Sequence, residues 1–199
     1  MMVKAKQVKK PSADIGQIRL IGGQWRGRKL PVLNSEGLRP TSDRVKETLF
    51  NWLMFDVRGT VCLDLFAGSG SLGFEALSRG AQRLVMVEKE ARVARQLELN
   101  LASLPGAEGK VINSDAQTYL AGPPEPFDLV FLDPPFHQDL LSQVCTRLEQ
   151  DGWLAPEARI YIEREQISNE PALPGNWRRL KDKRAGQVSY QLYQREQTE

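Results

Sequence analysis

Four consecutive residues after an apolar run could hold an aromatic amine. Asp133-Pro134-Pro135-Phe136 follows the run from Phe127 to Leu132, which has the pattern of a buried strand. Two consecutive prolines have a fixed φ and no backbone N–H, so the strand must end in a stiff turn. The Asp133 carboxylate and the Pro134 carbonyl can each accept one N–H of the amine, and Phe136 can stack on the attached base. Taken alone, the tetrapeptide is also compatible with a simple strand terminator.

A glycine-rich turn lies upstream of this tetrapeptide. The run from Asp64 to Gly73 follows the strand pattern VCLDLF and opens a helix, where backbone N–H groups are free to bind a ligand. Gly68, Gly70 and Gly73 satisfy the dinucleotide fingerprint, which leaves a nicotinamide-dependent oxidoreductase open. Asp64 favours S-adenosylmethionine instead, because a carboxylate repels a pyrophosphate and attracts an ammonium group.

Two further acidic residues follow strand patterns. Glu88 ends LVMVE and offers acceptors for two ribose hydroxyls, and Asp115 follows the next strand. Asp115 could accept a hydrogen bond from an adenine amino group or could cap a helix. Ligands of open α/β sheets bind at the carboxyl ends of strands, so Asp64, Glu88 and Asp115 together predict one cofactor site.

Alternating strand and helix patterns must position these residues. Residues 42–55 have a helical pattern, and five strand patterns then alternate with helices up to RIYIE at 159–163. This order predicts an α/β protein with a parallel sheet, and two extended runs around Ala185-Gly186 predict a closing antiparallel hairpin. We expect a Rossmann-like methyltransferase fold with a seven-stranded, mostly parallel sheet and an N-terminal β-hairpin extension.

The N-terminal part of the chain is strongly basic. Residues 1–30 contain eight Lys or Arg and one acid, a charge of +7, whereas the whole chain has +2 and the remainder therefore −5. We predict a disordered basic tail at 1–16, an RNA-facing hairpin at 17–40 and a methyltransferase domain at 41–199. Trp25 could stack on a base or pack beneath the hairpin. The hairpin residues expected to meet RNA are Arg19, Trp25, Arg26, Arg28 and Lys29, and a second basic group at Arg178, Arg179, Lys181, Lys183 and Arg184 could extend that patch.

Composition excludes several other classes of protein. The 199 residues contain no apolar run long enough to span a bilayer, and the N-terminus lacks the features of a secretory signal, so we expect a cytoplasmic protein. The chain has two cysteines, without a CxxC pair, and one histidine. We therefore expect neither a zinc site nor a disulfide.

Several motifs occur together in a characteristic order. With RPTSDRVKETLFNWL, DLFAGSGSLGFEALSRGA, VEKE, NSDA and DPPF, the chain resembles the bacterial 16S ribosomal RNA guanine-N2 methyltransferase family of the RsmD type, from about Arg19 to the C-terminal hairpin. The resemblance implies methyl transfer from S-adenosylmethionine to N2 of one guanine, at position 966 of that RNA, in assembled or assembling 30S subunits. We expect a monomer without a metal.

The resemblance also assigns residues to the two parts of the site. Arg39 and Thr41 would border either the methionine end of the cofactor or the target base. Amine contacts are expected at Asp133, Pro134, Pro135 and Phe136. Cofactor contacts are expected at motif residues and at residues adjacent to them in sequence. These are Arg39, Thr41, Asp64, Phe66, Ala67, Gly68, Ser69, Gly70, Glu88, Lys89, Asp115 and Ala116.

Three other functions remain open at this point. Asp133 and Phe136 suit nucleic-acid amines in general, so an adenine-N6 methyltransferase is the nearest rival. An RNA-binding ribosome assembly factor with an inactive methyltransferase fold is a non-enzymatic alternative, and the nicotinamide-dependent oxidoreductase is the third.

Overall fold

The structure, a computed structural model, describes residues 15–33, 41–135, 138–166 and 170–197. Most of the predicted disordered tail lies outside this part of the chain. Strand β1 (Ile15–Arg19) begins two residues before the predicted boundary and pairs antiparallel with β2 (Lys29–Leu33), so the predicted N-terminal hairpin is confirmed.

The described residues contain one large sheet of seven strands in the order β5-β4-β3-β6-β7-β9-β8. Strands β3 to β7 are parallel, and β9 and β8 continue the sheet as an antiparallel hairpin in which Ala185 lies opposite Val188. The predicted fold is therefore confirmed. The strand bounds are β3 (Val61–Asp64), β4 (Arg83–Glu88), β5 (Gly109–Asn113), β6 (Phe127–Leu132), β7 (Leu154–Glu165), β8 (Trp177–Ala185) and β9 (Val188–Arg195).

Helices cover both faces of this sheet. The first face packs against α1 (Asp43–Trp52), α2 (Ser71–Ser78) and α3 (Ala91–Ser103), and the second against α4 (Ala116–Leu120) and α5 (Gln138–Gln150). Alternate strand residues supply the two cores, with Phe131 and Tyr161 on the first face and Val130 and Ile160 on the second. Helix α1 starts where the sequence predicts, because the Ser42 hydroxyl accepts a hydrogen bond from the backbone N–H of Val45. The short helix α4 follows Asp115, which the sequence offered as a possible helix cap.

The strand order creates a crevice near the centre of the sheet. After β3 the chain proceeds outward to β4 and β5, and it then returns to place β6 on the other side of β3. The loops that leave the carboxyl ends of β3 and β6 therefore diverge to opposite sides. A ligand site is expected at this switch point in any open α/β sheet.

The N-terminal hairpin forms a further layer outside α2 and α3. Ile18, Leu20 and Leu30 are buried in the same core as the first face of the large sheet. The backbone N–H groups of Ile21 and Gly22 donate to the buried carboxylate of Glu75, at 3.0 and 2.9 Å. All eight residues of α2 are consequently buried. In the described ranges, no helix is both long enough and apolar enough to span a membrane.

Candidate active site

The glycine-rich turn lies at the predicted place, between the carboxyl end of β3 and α2. The backbone N–H of Leu65 donates to Phe131 at 3.2 Å and that of Ala67 donates to Val87 at 3.0 Å, so neighbouring strand ends fix the start of the turn. Gly70 has a φ of 74°, and a Cβ there would lie 2.5 Å from the ring of Phe74. Only glycine fits this position without strain. Ala67 and Ser69 are buried, whereas Phe66 and Gly68 are half-buried.

Asp64 ends β3 beneath this turn and is 3% exposed. Its Oδ2 accepts a hydrogen bond from the backbone N–H of Gly73 at 3.1 Å. Burial raises the pKa of the carboxyl group to about 7, and the nearby charge of Glu88 acts in the same direction. Among the described residues, no cation forms an ion pair with Asp64. A positively charged ligand would supply the compensation that the protein itself does not provide.

Glu88 ends β4 and holds the turn from the side. Its two carboxylate oxygens accept backbone hydrogen bonds from Gly68 at 2.9 Å and from Glu90 at 2.8 Å. A carboxylate has about four acceptor positions, so both oxygens retain capacity for ligand hydroxyls. Lys89, the neighbouring residue, is exposed.

Asp115 takes the capping role that the sequence left open. It precedes α4, and its carboxylate accepts hydrogen bonds from the backbone N–H of Thr118 at 2.9 Å and from the Thr118 hydroxyl at 2.7 Å. These donors lower the pKa of Asp115. Asp115 follows β5, at the same edge of the sheet as Asp64 and Glu88, and is exposed. Its carboxylate therefore retains acceptor positions that are open to an adenine amino group. Ala116, in the first turn of α4, is buried.

Asp133 follows β6 directly, next to the crevice. Burial raises the pKa of its carboxyl group well above the usual range, and the charges of Glu163 and Asp64 raise it further. Pro134 is half-buried and Pro135 is exposed, as a turn at the surface requires. Phe136 and Arg39, two residues of the predicted site, lie outside the described residues.

A second carboxyl group at this edge was missed by sequence reasoning. Glu163 lies on β7, one residue beyond the pair formed by Leu132 and Ile162, and is therefore level with Asp133. It is 9% exposed, and its carboxylate accepts hydrogen bonds from the hydroxyls of Tyr161, at 2.8 Å, and Thr41. The available signal was an acid within the otherwise apolar run IYIE. Thr41, expected near the cofactor or the base, thus contacts Glu163.

The arrangement fits S-adenosylmethionine. Its ammonium group suits Asp64, which is buried without a cationic partner, and its ribose hydroxyls suit the fixed carboxylate of Glu88. The glycine at position 70 lets the turn pack closely against Phe74 and Leu97. Next to it, the buried hydroxyl of Ser71 has no hydrogen-bond partner among the described residues.

The tip of the N-terminal hairpin lies far from this edge. The backbone N–H of Trp25 donates to the hydroxyl of Ser78, the last residue of α2, whereas the glycine-rich turn precedes the first. The helix of eight residues separates these points by about 12 Å. Trp25 is partly buried against the core, Arg19 pairs with Asp43 at 3.1 Å, and Arg28 donates to the backbone carbonyl of Ser103.

Comparison with known proteins gives a consistent assignment. The protein-family model described as conserved hypothetical protein 95 matches residues 18–194. Ribosomal RNA small subunit methyltransferase D of Escherichia coli is 53% identical over 190 residues, which cover 95% of this chain and 96% of that protein. A solved structure from Escherichia coli, provisionally described as a methyltransferase, is 52% identical with a TM-score of 0.86 and covers 91% of this chain and 99% of its own.

More distant structures share the fold alone. Magnesium protoporphyrin IX methyltransferase from Synechocystis, solved with S-adenosylmethionine bound, is 15% identical with a TM-score of 0.59 over 76% of this chain and 78% of its own. With the close matches, this fold identifies S-adenosylmethionine as the cofactor, so the nicotinamide alternative is wrong. The chain belongs to the family of conserved hypothetical protein 95 and ribosomal RNA small subunit methyltransferase D.

Proposed function

We propose that this protein transfers the methyl group of S-adenosylmethionine to the exocyclic N2 of one guanine in 16S ribosomal RNA, at position 966 by the family resemblance. The name of the Escherichia coli relative supports a small-subunit ribosomal RNA as the substrate. The choice of guanine rests on one observation within the site, the position of Glu163 beside Asp133.

The two carboxyl groups face the same ligand from neighbouring strands. Asp133 and Glu163 lie level on β6 and β7, whose backbones are about 4.8 Å apart in a sheet. Phe131 and Tyr161 occupy the first face, and side chains two residues apart share a face, so both acids point there. The site therefore offers two adjacent hydrogen-bond acceptors.

Guanine presents two adjacent donors on its Watson–Crick edge, the N2 amine and N1–H. With the amine at Asp133, N1–H donates to Glu163. Adenine presents its N6 amine beside an N1 atom that carries a lone pair and no hydrogen, so it offers Glu163 no donor. An unpaired polar group in a buried site is costly, so Glu163 favours guanine over adenine.

Asp133 has two roles in the transfer. Bound S-adenosylmethionine supplies a methyl group on a positively charged sulfur. The carboxylate of Asp133 and the carbonyl of Pro134 accept the two N–H groups of the amine, which directs the nitrogen lone pair out of the base plane. On transfer of the methyl group to the nitrogen, the Asp133 carboxylate would accept the proton that the nitrogen releases. The raised pKa of this half-buried carboxyl group suits it to accept that proton.

A base analogue tests the role of Glu163. 2-Aminopurine has the N2 amine of guanine but lacks N1–H, and it can replace the target guanine in 16S ribosomal RNA assembled into 30S particles. We expect the wild-type protein to methylate guanine much faster than 2-aminopurine. Glu163→Gln can donate to the bare N1 atom, so the ratio of the two rates should fall by about tenfold or more.

Tyr161→Phe is the matched control, because it removes a hydroxyl next to Glu163 and leaves the carboxylate in place. It should preserve the preference for guanine whatever its overall rate. An unchanged rate ratio in Glu163→Gln would contradict the recognition of N1–H. Preferential methylation of adenine by the wild-type protein would support the rival function instead.

The N-terminal hairpin retains a part in this proposal. Arg26 and Lys29 are exposed, and Arg19, Arg28 and Trp25 lie close to them. These residues would meet RNA phosphates. Arg26 would do so away from the reacting base, since the tip of the hairpin is at the far end of α2, whereas Arg19 lies nearer to the site because it pairs with Asp43.

A further inference from the structure

The edge strand β8 presents lysines on the same side of the sheet as the candidate active site. We propose that Lys181 and Lys183 bind consecutive phosphates of the RNA strand next to the target nucleotide. This inference rests on the proposed function, because it assumes that the nucleotide at Asp133 belongs to an RNA chain.

The strand register places Lys183 level with Glu163, across the intervening strand β9. Lys183 lies opposite Tyr190 on β9, and Tyr190 lies opposite Glu163 on β7. Directly opposed residues of antiparallel strands point to the same face, and Tyr190 belongs to the core of the first face. The Cα atom of Lys183 is therefore two strand spacings, roughly 10 Å, from that of Glu163.

Lys181, two residues before Lys183 in β8, points to the same face of the sheet. It lies opposite Leu192, which in turn lies opposite Tyr161. The two lysines thus share a face and are two residues apart, about 6.8 Å in an antiparallel strand. This spacing is close to that of successive phosphates in an extended nucleic-acid strand.

The other basic side chains of β8 are less available. Arg178 is paired with Glu196, and Arg179 is paired with Glu170 at 3.0 Å and with Asp182 at 3.3 Å. Arg184 lies next to Lys183 in the strand and points to the opposite face. Lys181 and Lys183 are exposed, and neither forms an ion pair with the described residues.

The turn of the hairpin formed by β8 and β9 lies at the same end of the sheet as the candidate active site. Glu165 at the carboxyl end of β7 pairs with Val188, next to the turn between β8 and β9. A nucleotide strand that leaves the crevice toward β7 therefore meets Lys183 and then Lys181. The two exposed lysines would neutralise its phosphates and release their counterions. RNA binding through this surface should therefore weaken as the salt concentration rises.

The test compares two double variants that each remove two positive charges. Lys181→Gln with Lys183→Gln changes the proposed phosphate site, and Arg26→Gln with Lys29→Gln changes the tip and second strand of the N-terminal hairpin. Binding of each protein to 16S ribosomal RNA and to 30S particles is measured over a range of salt concentrations. Cofactor affinity and melting temperature are measured in parallel and should not change in either variant.

We expect the β8 variant to bind several-fold more weakly and its log–log salt slope to fall by about 2, one for each phosphate contact. The hairpin variant should also lower the salt slope, because Arg26 and Lys29 would meet other phosphates of the RNA. Wild-type binding with an unchanged salt slope in the β8 variant would overturn the proposal, whatever the result for the hairpin variant. Because the measurement is of RNA binding, it separates this proposal from the proposed function: absent or adenine-directed methylation would refute the latter alone.

Discussion

Helix α2 separates two buried carboxyl groups whose surroundings differ. On its outer side Glu75, 0% exposed, receives two backbone N–H groups, the guanidinium of Arg79 at 2.8 Å and the ammonium of Lys46 at 3.9 Å. On its inner side Asp64 receives a single backbone N–H and no cation among the described residues. The protein compensates one buried charge internally and leaves the other for a ligand. Similar burial therefore accompanies a structural role at Glu75 and, in our proposal, a cofactor-binding role at Asp64.

The two hairpins of the chain also differ in role, one being mainly structural and the other lying beside the candidate active site. The N-terminal hairpin is fixed to Glu75 and Ser78, and it serves mainly to cover α2. The C-terminal hairpin extends the sheet, and its turn lies at the edge that contains Asp133 and Glu163. Both hairpins are basic, so charge alone could not distinguish their roles.

The largest effect on stability is expected for Glu75→Ala. This change leaves the buried ammonium of Lys46 without its main compensation and removes the acceptor for two backbone groups of the hairpin. Loss of one partner of a buried ion pair costs about 3–5 kcal/mol of unfolding free energy. Urea unfolding measures the loss, with Glu98→Ala on the exposed side of α3 as the control. A cost below about 1 kcal/mol, comparable to a surface pair, would contradict the structural role of Glu75.

Asp64→Asn should have a smaller and pH-dependent effect. The pKa of Asp64 is raised to about 7 in the folded protein, whereas that of an unfolded chain is about 3.9. Between these values the folded state binds more protons than the unfolded state, so the contribution of Asp64 to stability falls as the pH rises and is constant above about 7. Asp133 and Glu163 contribute with the same sign.

The difference between Asp64→Asn and wild type isolates the contribution of Asp64. From pH 5 to pH 8 the variant should gain about 2 kcal/mol of unfolding free energy relative to wild type. It should also bind S-adenosylmethionine more weakly, because the ammonium group loses its carboxylate. A stability difference that does not vary with pH would show that Asp64 is compensated as Glu75 is.

Local patterns predicted much of the fold and of the cofactor side of the site. The acidic residues Asp64, Glu88 and Asp133 lie within short motifs, so periodicity and turn chemistry were sufficient to predict that they share one edge of the sheet. Glu163 was missed because a single acid in an apolar strand has no local motif, and its meaning depends on the pairing of β6 with β7. The contact of Glu75 with Ile21 and Gly22 joins residues more than fifty positions apart, so no local pattern could predict where the N-terminal hairpin docks.

Identification of the methylated nucleoside tests the central claim most directly. Ribosomal RNA or 30S particles are incubated with S-adenosylmethionine and either wild-type protein or Asp133→Ala, and the RNA is digested and analysed by mass spectrometry. We predict N2-methylguanosine with the wild-type protein and a rate lower by about 100-fold or more with the variant, which should still bind the cofactor. Formation of N6-methyladenosine, or full activity of Asp133→Ala, would contradict the account.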